Sequence, residues 1–313
     1  MKKTIYTSII IFLLNTSVFV FAEDNSKIFK DKIKNDLNTL SNNYLDISAN
    51  YIKSLPIKLL GNEIKTKEIN ISLENNEKPK IGVLFLTPFF DLSKIEDTFF
   101  MQNSLFHKDN RTTINTGLGY RKLTLENNLL IGVNGFYDHE FPYNHGRTSL
   151  GLELRTTVGE INANRYWSTR DWVTANSNNT ERALSGHDIE ASVPLPYMNW
   201  ANLSYNKFHW YGKEIENIGG TKTSLSAIIP QLPNLLIRID RTKYDSDAID
   251  NTDSLTLSYV FKASEKKQVN KSFFNNKAYE LSSIENERFN LVNRENEILK
   301  EVNNDGVFNF KGV

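Results

Sequence analysis

The chain of 313 residues contains no cysteine, which excludes a disulfide framework and any thiolate metal site. A cysteine-free chain also suits maturation in an oxidising compartment. Neither sign of charge is in excess, because 37 Lys and Arg face 37 Asp and Glu. No general electrostatic attraction to nucleic acid is therefore expected. Long apolar runs are missing beyond the N-terminus and mean hydropathy is negative, so helical membrane spans are not expected in the mature chain. A transmembrane β-barrel passes this test, since its strands alternate apolar and polar residues and average near neutral.

What is present begins with a targeting signal. Lys2 and Lys3 precede the apolar stretch Ile9-Ile10-Ile11-Phe12-Leu13-Leu14, and Val20-Phe21-Ala22 closes it before Glu23. This pattern predicts a secretory signal peptide over residues 1–22, cleaved after Ala22. From Lys27 to Leu55, Phe29, Ile33, Leu37, Leu40, Tyr44, Ile47 and Tyr51 recur at spacings of three and four. That period predicts an amphipathic helix, stopped at Pro56, in a periplasmic N-terminal segment over 23–60.

From residue 64 to 262 the period becomes two. Ile114, Thr116, Leu118 and Tyr120 alternate with Asn115, Gly117, Gly119 and Arg121; Leu150, Leu152 and Leu154 alternate with Ser149, Gly151 and Glu153. About twelve such segments occur, each near the ten residues that cross a bilayer at a tilt. Soluble sandwiches alternate too. Here, however, the non-apolar face holds glycines and mixed charges, and aromatics such as Phe99-Phe100, Tyr166-Trp167 and Trp210-Tyr211 collect at segment ends. Both features favour a watery lumen and interfacial aromatic girdles. The turns near 123–128, 155–160 and 195–200 are short, and the linkers 168–186, 211–221 and 243–253 on the other side are longer. That is the asymmetry of bacterial barrels. The expected fold is thus an all-β transmembrane, twelve-stranded antiparallel outer-membrane barrel. Leu118, Ile131, Leu152 and Leu257 should face lipid, and Asn115, Asn134 and Ser149 the lumen, with Arg better tolerated at Ser149 than at Leu152.

Chemistry is sparse. Asp138, His139, Glu140 and His145 form the one cluster that resembles a metal or proton-transfer site. Neighbours on a strand point to opposite faces, so Asp138 and His139 do not converge, and a polar external hairpin is the expectation. His145 is followed by Gly146, so the adjacent His-Ser of outer-membrane lipases is missing. Glu153 and Asp188 read as lumen charges rather than an acid–base pair. No catalytic residue, metal or cofactor is expected.

Gly132-Val133-Asn134-Gly135-Phe136-Tyr137-Asp138, followed by His145, Arg147, Gly151 and Glu153, resembles the signature of the inverse autotransporter β-domain, the intimin and invasin family. Asn115-Thr116-Gly117-Leu118-Gly119-Tyr120-Arg121 matches the same family upstream. Ala163-Asn164, Tyr166, Trp172, Glu181-Arg182, Gly186 and Asp188-Ile189 continue it downstream. The resemblance implies a twelve-stranded barrel with a periplasmic N-terminus and a linker helix threading the pore. Residues 288–298, with Arg288, Leu291, Val292 and Arg294, look like that linker, in a C-terminal region over 263–313. Asn115, Gly117, Gly119, Arg121, Gly132, Asn134, Gly151 and Glu153 are the candidate lumen residues contacting it. The implied role is a translocator related to adhesion. Its surroundings would be outer-membrane lipid, lipopolysaccharide and the barrel assembly machinery, with no nucleic acid and no identifiable host receptor. Neither the family's immunoglobulin-like passenger nor its peptidoglycan-binding module is expected here. The alternatives are a passenger-less pore, or adhesion through external loops, above all 168–186 with Trp172.

Overall fold

The computed structural model describes residues 64–304 and 307–311, apart from 76, 90–94, 177–178, 229, 231 and 263–272. The leader over 1–22 and the helix over 23–60 lie outside the described residues. Twelve strands close into one antiparallel barrel. They are β1 (Thr66–Glu74), β2 (Lys80–Phe89), β3 (Asp97–Lys108), β4 (Arg111–Thr124), β5 (Leu129–Phe141), β6 (His145–Thr156), β7 (Gly159–Ser168), β10 (Ser185–Leu195), β11 (Met198–Tyr211), β12 (Ile218–Ile228), β13 (Leu235–Tyr244) and β14 (Thr252–Lys262). Neighbours pair in sequence order, and β1 closes on β14 from Thr66↔Lys262 to Glu74↔Ser254. Both ends of the barrel's chain therefore emerge at one mouth, called lower here. At the upper mouth, β8 (Val173–Asn176) and β9 (Asn179–Ala183) from the β7–β10 connection join β15 (Lys300–Asn304) and β16 (Val307–Lys311) in a second sheet, ordered β16-β15-β9-β8.

The side-chain period fixes which face is which. Leu118, Ile131, Val133, Leu150 and Leu152 are exposed on the outside, whereas Asn115, Asn134, Ser149 and Glu153 are buried inside. This is the inverse of a soluble sheet and matches a barrel in lipid. Among the described residues no helix is long and apolar enough to cross a membrane; the strands do the crossing. At the upper mouth Asp109 and Asn110, with φ of 46° and 61°, join β3 to β4 in a two-residue turn of the left-handed kind that Asn and Asp tolerate.

Five of the inward glycines follow a rule. Gly82 pairs with Phe106, Gly117 with Phe136, Gly119 with Phe100, Gly186 with Trp210 and Gly220 with Phe208. A Cβ on Gly117 would lie 2.3 Å from the Phe136 ring, and one on Gly119 would lie 2.2 Å from the Phe100 ring. Each ring lies flat across its glycine neighbour, which keeps a large apolar side chain against the lumen wall.

Candidate functional site

The segment after β14 first runs around the lower mouth, turn by turn. Trp200 Nε1 donates to the Phe273 carbonyl at 2.8 Å. Tyr197 N donates to Ala278 O at 3.2 Å, and Ile284 N donates to Asn127 O at 2.8 Å. Thr157 Oγ1 donates to Glu280 O at 2.7 Å, and Arg288 Nη1 reaches Ile95 O at 3.0 Å. Thr66 Oγ1, at the start of β1, then donates to Phe289 O at 2.6 Å. After a single 3-10 turn over Glu285–Phe289 the chain enters the lumen without regular structure and emerges as β15.

The expected linker helix is therefore corrected to an extended strand of chain. Three observations account for this. Asn290, Asn293 and Asn296 recur through the segment, and Asn is a poor helix former. An α-helix is also about 10–12 Å wide with its side chains, and Phe100, Phe136, Tyr166 and Trp210 already occupy the lumen. Finally, an extended backbone offers its own polar groups to the wall, and ten residues reach at most roughly 33–36 Å, enough for the apolar band of about 25 Å.

The wall satisfies that backbone almost step by step. Arg121 Nη1 donates to Arg288 O at 2.8 Å and to Asn290 O at 2.6 Å. Arg155 Nη2 donates to Leu291 O at 3.1 Å, and Asn164 Nδ2 to Asn293 O at 3.2 Å. Arg147 Nη2 donates to Glu295 O at 2.7 Å, and Asn115 Nδ2 to Asn296 O at 2.9 Å. In return Val292 N donates to Gln102 Oε1 and Glu295 N to the Tyr166 hydroxyl, both at 2.8 Å. Apolar anchors recur along the path: Ile284 with Leu123 and Leu130, then Phe289 and Val292 with Leu86, Phe100 and Phe136, then Leu299 with Tyr166, Leu184 and Trp210.

Side-chain recognition is concentrated at Arg294. Its guanidinium makes a fork onto Asp138, at 2.8 and 2.7 Å, and its face lies 4.3 Å from the Phe136 ring centroid. Asp138 also accepts from Arg147 Nε at 2.8 Å. The space that Gly117 leaves thus seats a ring, the ring seats a guanidinium, and the guanidinium ties the linker to β5.

Above this lies a second lock. Arg111 bridges Glu140 at 2.7 Å and Glu181 at 2.7 Å, His145 Nε2 lies 3.1 Å from Glu181, and Lys300 Nζ donates to Glu140 at 2.6 Å. Glu140, His145 and Glu181 lie close enough together to hold a metal ion. Every oxygen of the two carboxylates already accepts from a cation or from His145, so the set works as a charge lock between barrel, β9 and β15. Burial alone would raise the Glu181 carboxyl; the hydrogen bonds from His145 and Arg111, with the Arg111 charge, outweigh it and hold the group at about 2. A depressed carboxyl contributes stability above its ordinary value of 4.5 and loses it as pH falls through the folded value. Amide exchange at 300–304, corrected for intrinsic rate, should therefore be constant above about pH 4.5 and accelerate towards pH 2. Equal protection at both ends of that window would show that Glu181 does not hold the cap.

With this geometry in view, comparison with known proteins is decisive. The family model for the inverse autotransporter β-domain matches residues 21–296. The chain belongs to that family. The inverse autotransporter adhesin YeeJ of Escherichia coli K12 is 25% identical over 227 residues, covering 69% of this chain and 9% of YeeJ. Invasin of Yersinia enterocolitica is 25% identical over 190 residues, covering 58% and 22%. Intimin of Escherichia coli O127:H6 is 24% identical over 277 residues, covering 82% and 28%. The chain thus spans under a third of the length of each of these relatives. A membrane protein solved in a study of in-meso crystallization superposes with a TM-score of 0.66 at 21% identity, over 77% of this chain and all of that one. The protein is an outer-membrane β-barrel.

Within this inverse autotransporter barrel the residues singled out from sequence fall as follows. Asn115 and Arg121 touch the linker backbone directly. Glu153 holds Arg121 at 2.8 Å and Arg155 at 3.0 Å, and Asn134 donates to Glu153 at 3.1 Å. Gly117 and Gly119 make room for Phe136 and Phe100 rather than for the linker itself; Gly132 sits beside Arg121 and Glu153, and Gly151 between Asn134 and Asn164. Leu291, Val292 and Arg294 lie on the threaded segment, Arg288 lies in the 3-10 turn just before it, and Trp172 is half-buried in the β7–β8 connection. In the Asp138–His145 hairpin, Asp138, Glu140 and His145 point inward, while His139 points out towards Tyr137 and Asn144. Sequence reasoning missed Gln102, Arg111, Arg155 and Lys300 as partners of the linker and cap; their signal was only that each wall residue shares the inward parity of its strand.

Proposed function

We propose that this barrel is a translocator that carries its C-terminal segment through its own lumen, periplasm to cell surface, and then holds it there. The single observation behind this reading is the extended chain from Phe289 to Leu299, bound through its carbonyls by Arg121, Arg155, Asn164, Arg147 and Asn115. A wall that reads mainly backbone suits a segment that must slide before it docks, since backbone groups recur in any sequence. Arg294 on Asp138 and the pairing of β15 with β9 then supply the stop. In this reading the lower mouth is periplasmic, β15 and β16 lie at the surface, and what is exported serves adhesion. Arg121, Asp138, Arg147, Arg155 and Tyr166 are engaged in holding the linker, and no enzymatic reaction is assigned. Lipopolysaccharide and the barrel assembly machinery are the partners that its location proposes.

A pore reading draws on the space beside the linker. A cavity of about 350 Å³ lies along β12–β14 and β1, lined by residues including Asn70, Lys222, Arg238 and Thr256. An epitope fused after Val313 should be stained on intact cells, and deleting Ala278 to Val313 should raise single-channel conductance several-fold. Staining only after permeabilisation, with conductance unchanged by the deletion, would leave a plain barrel and remove the translocator reading.

A further inference from the structure

The outer wall is not uniform. On the lipid-facing side of β2–β6 the upper halves of the strands present no Lys or Arg among the described residues. On β7, β10, β11 and β13 the same level presents Arg165, Lys207 and Lys243 with His187 and His209. Register places Arg165 beside His187 and His187 beside His209. One row lower, Lys207 neighbours Thr221, which neighbours Lys243. Adjacent strands are about 4.8 Å apart, so each row spans roughly 10 Å, the width of a disaccharide headgroup.

The cations are organised but not neutralised. Arg165 Nη1 donates to the Tyr211 hydroxyl at 2.9 Å and lies 3.3 Å from His187 Nδ1; its guanidinium stacks 4.8 Å from the Tyr211 ring. Among the described residues no carboxylate pairs with Arg165, Lys207 or Lys243, whereas nearby Arg241 has Asp253 at 3.8 Å. Asp245 stands over Gly219 beside His209 and ends the upper row on the side away from Arg165. On β7, β10 and β11 the wall beside and below Lys207 is apolar, with Ile161, Ile189, Val193 and Leu203 exposed around the small Ala163 and Ala191. Trp167 and Tyr205 are exposed within the patch. A cation on the lipid face is costly at mid-depth and nearly free at the interface, where an unpaired cluster meets anionic headgroups.

We propose that this patch binds a phosphorylated glycolipid of the outer leaflet, the lipid A portion of lipopolysaccharide. Arg165, Lys207 and Lys243 take the phosphates, His187 and Tyr211 hold Arg165, and the acyl chains lie over the Ala163–Ala191 trough. The site depends on the barrel and its orientation, not on the linker, so its failure and that of the translocator reading are separable.

The test is titration of the full chain, delipidated in detergent, with bis-phosphorylated lipid A, read by native mass spectrometry. Lys207→Gln/Lys243→Gln and Arg165→Gln should each weaken binding about tenfold, while Lys122→Gln, exposed at the lower end, should leave it unchanged. Dephosphorylated lipid A should bind the wild type as weakly as lipid A binds the variants, and inorganic phosphate at equal concentration should not compete. Heat-modifiable mobility checks folding, and Lys207→Gln alone, on an exposed side chain, should still lose about threefold. Equal binding by the variants, by dephosphorylated lipid A, or an equal loss in Lys122→Gln would overturn the site.

Discussion

Asp138→Asn is expected to release the linker while leaving the barrel closed. Asp138 is fully buried and is shared by Arg294, through two hydrogen bonds at 2.8 and 2.7 Å, and Arg147, through one at 2.8 Å. Asparagine keeps the shape but removes the charge, leaving two guanidiniums without their carboxylate. Removing one partner of a buried ion pair costs about 3–5 kcal/mol, which is roughly two to three and a half decades in the docked-to-released ratio. The loss falls on docking, because the twelve-strand hydrogen-bond ladder does not involve Asp138's side chain. Single-channel conductance should rise towards that of the 278–313 deletion, and trypsin should begin to cut after Arg288 and Arg294. In Asp138→Asn/Arg294→Gln the two losses should add to less than their sum, since the first has already broken the contact. A protease-resistant Asp138→Asn barrel of unchanged conductance would mean that the backbone ladder and the three apolar anchors hold the linker without the ion pair.

The contrast between what the sequence disclosed and what it withheld follows from periodicity. A strand in a barrel states its two faces through its own alternation, so the inward placing of Asn115, Asn134 and Glu153 was legible before any coordinates. Glycines at inward positions were legible as gaps, but not what fills them: only the register shows Phe136 opposite Gly117 and Phe100 opposite Gly119. The linker's course was legible from the family resemblance, its conformation was not. Residues 288–298 carry no clean period because their backbone is satisfied by Arg121, Arg155, Asn164 and Asn115 from three different strands rather than by itself. Likewise the Asp138–His145 hairpin read as polar and external, yet three of its side chains turn inward to partners over 30 residues away: Arg294, Lys300 and Glu181. Long-range pairing of this kind has no local signature, and it is where the candidate site lies.

Arginine substitutions at three positions separate lipid, lumen and linker. Leu152, in the middle of β6, is 61% exposed on the outer wall between Val133 and Ala163. Arg there meets acyl chains and should cost roughly 2–4 kcal/mol near the midplane, enough to remove most of the heat-modifiable folded band. Ser149, three residues away and facing inward, was expected from sequence to tolerate Arg better than Leu152 does; it is buried, and its Oγ lies 3.1 Å from Arg294 Nη2. A second guanidinium there would crowd and repel Arg294, so Ser149→Arg should keep the barrel but raise conductance as Asp138→Asn does. Ser254 is the better lumen control. It lines the cavity of about 350 Å³, and its Oγ donates to Asp240 Oδ2 at 3.1 Å, so an incoming Arg finds both space and a carboxylate. Ser254→Arg should fold like the wild type, within about 1 kcal/mol, and conduct no more than it. Equal folding losses at Leu152 and Ser254 would reject the assignment of faces. An unaltered conductance in a folded Ser149→Arg barrel would show instead that Arg294 can be displaced without freeing the chain it anchors.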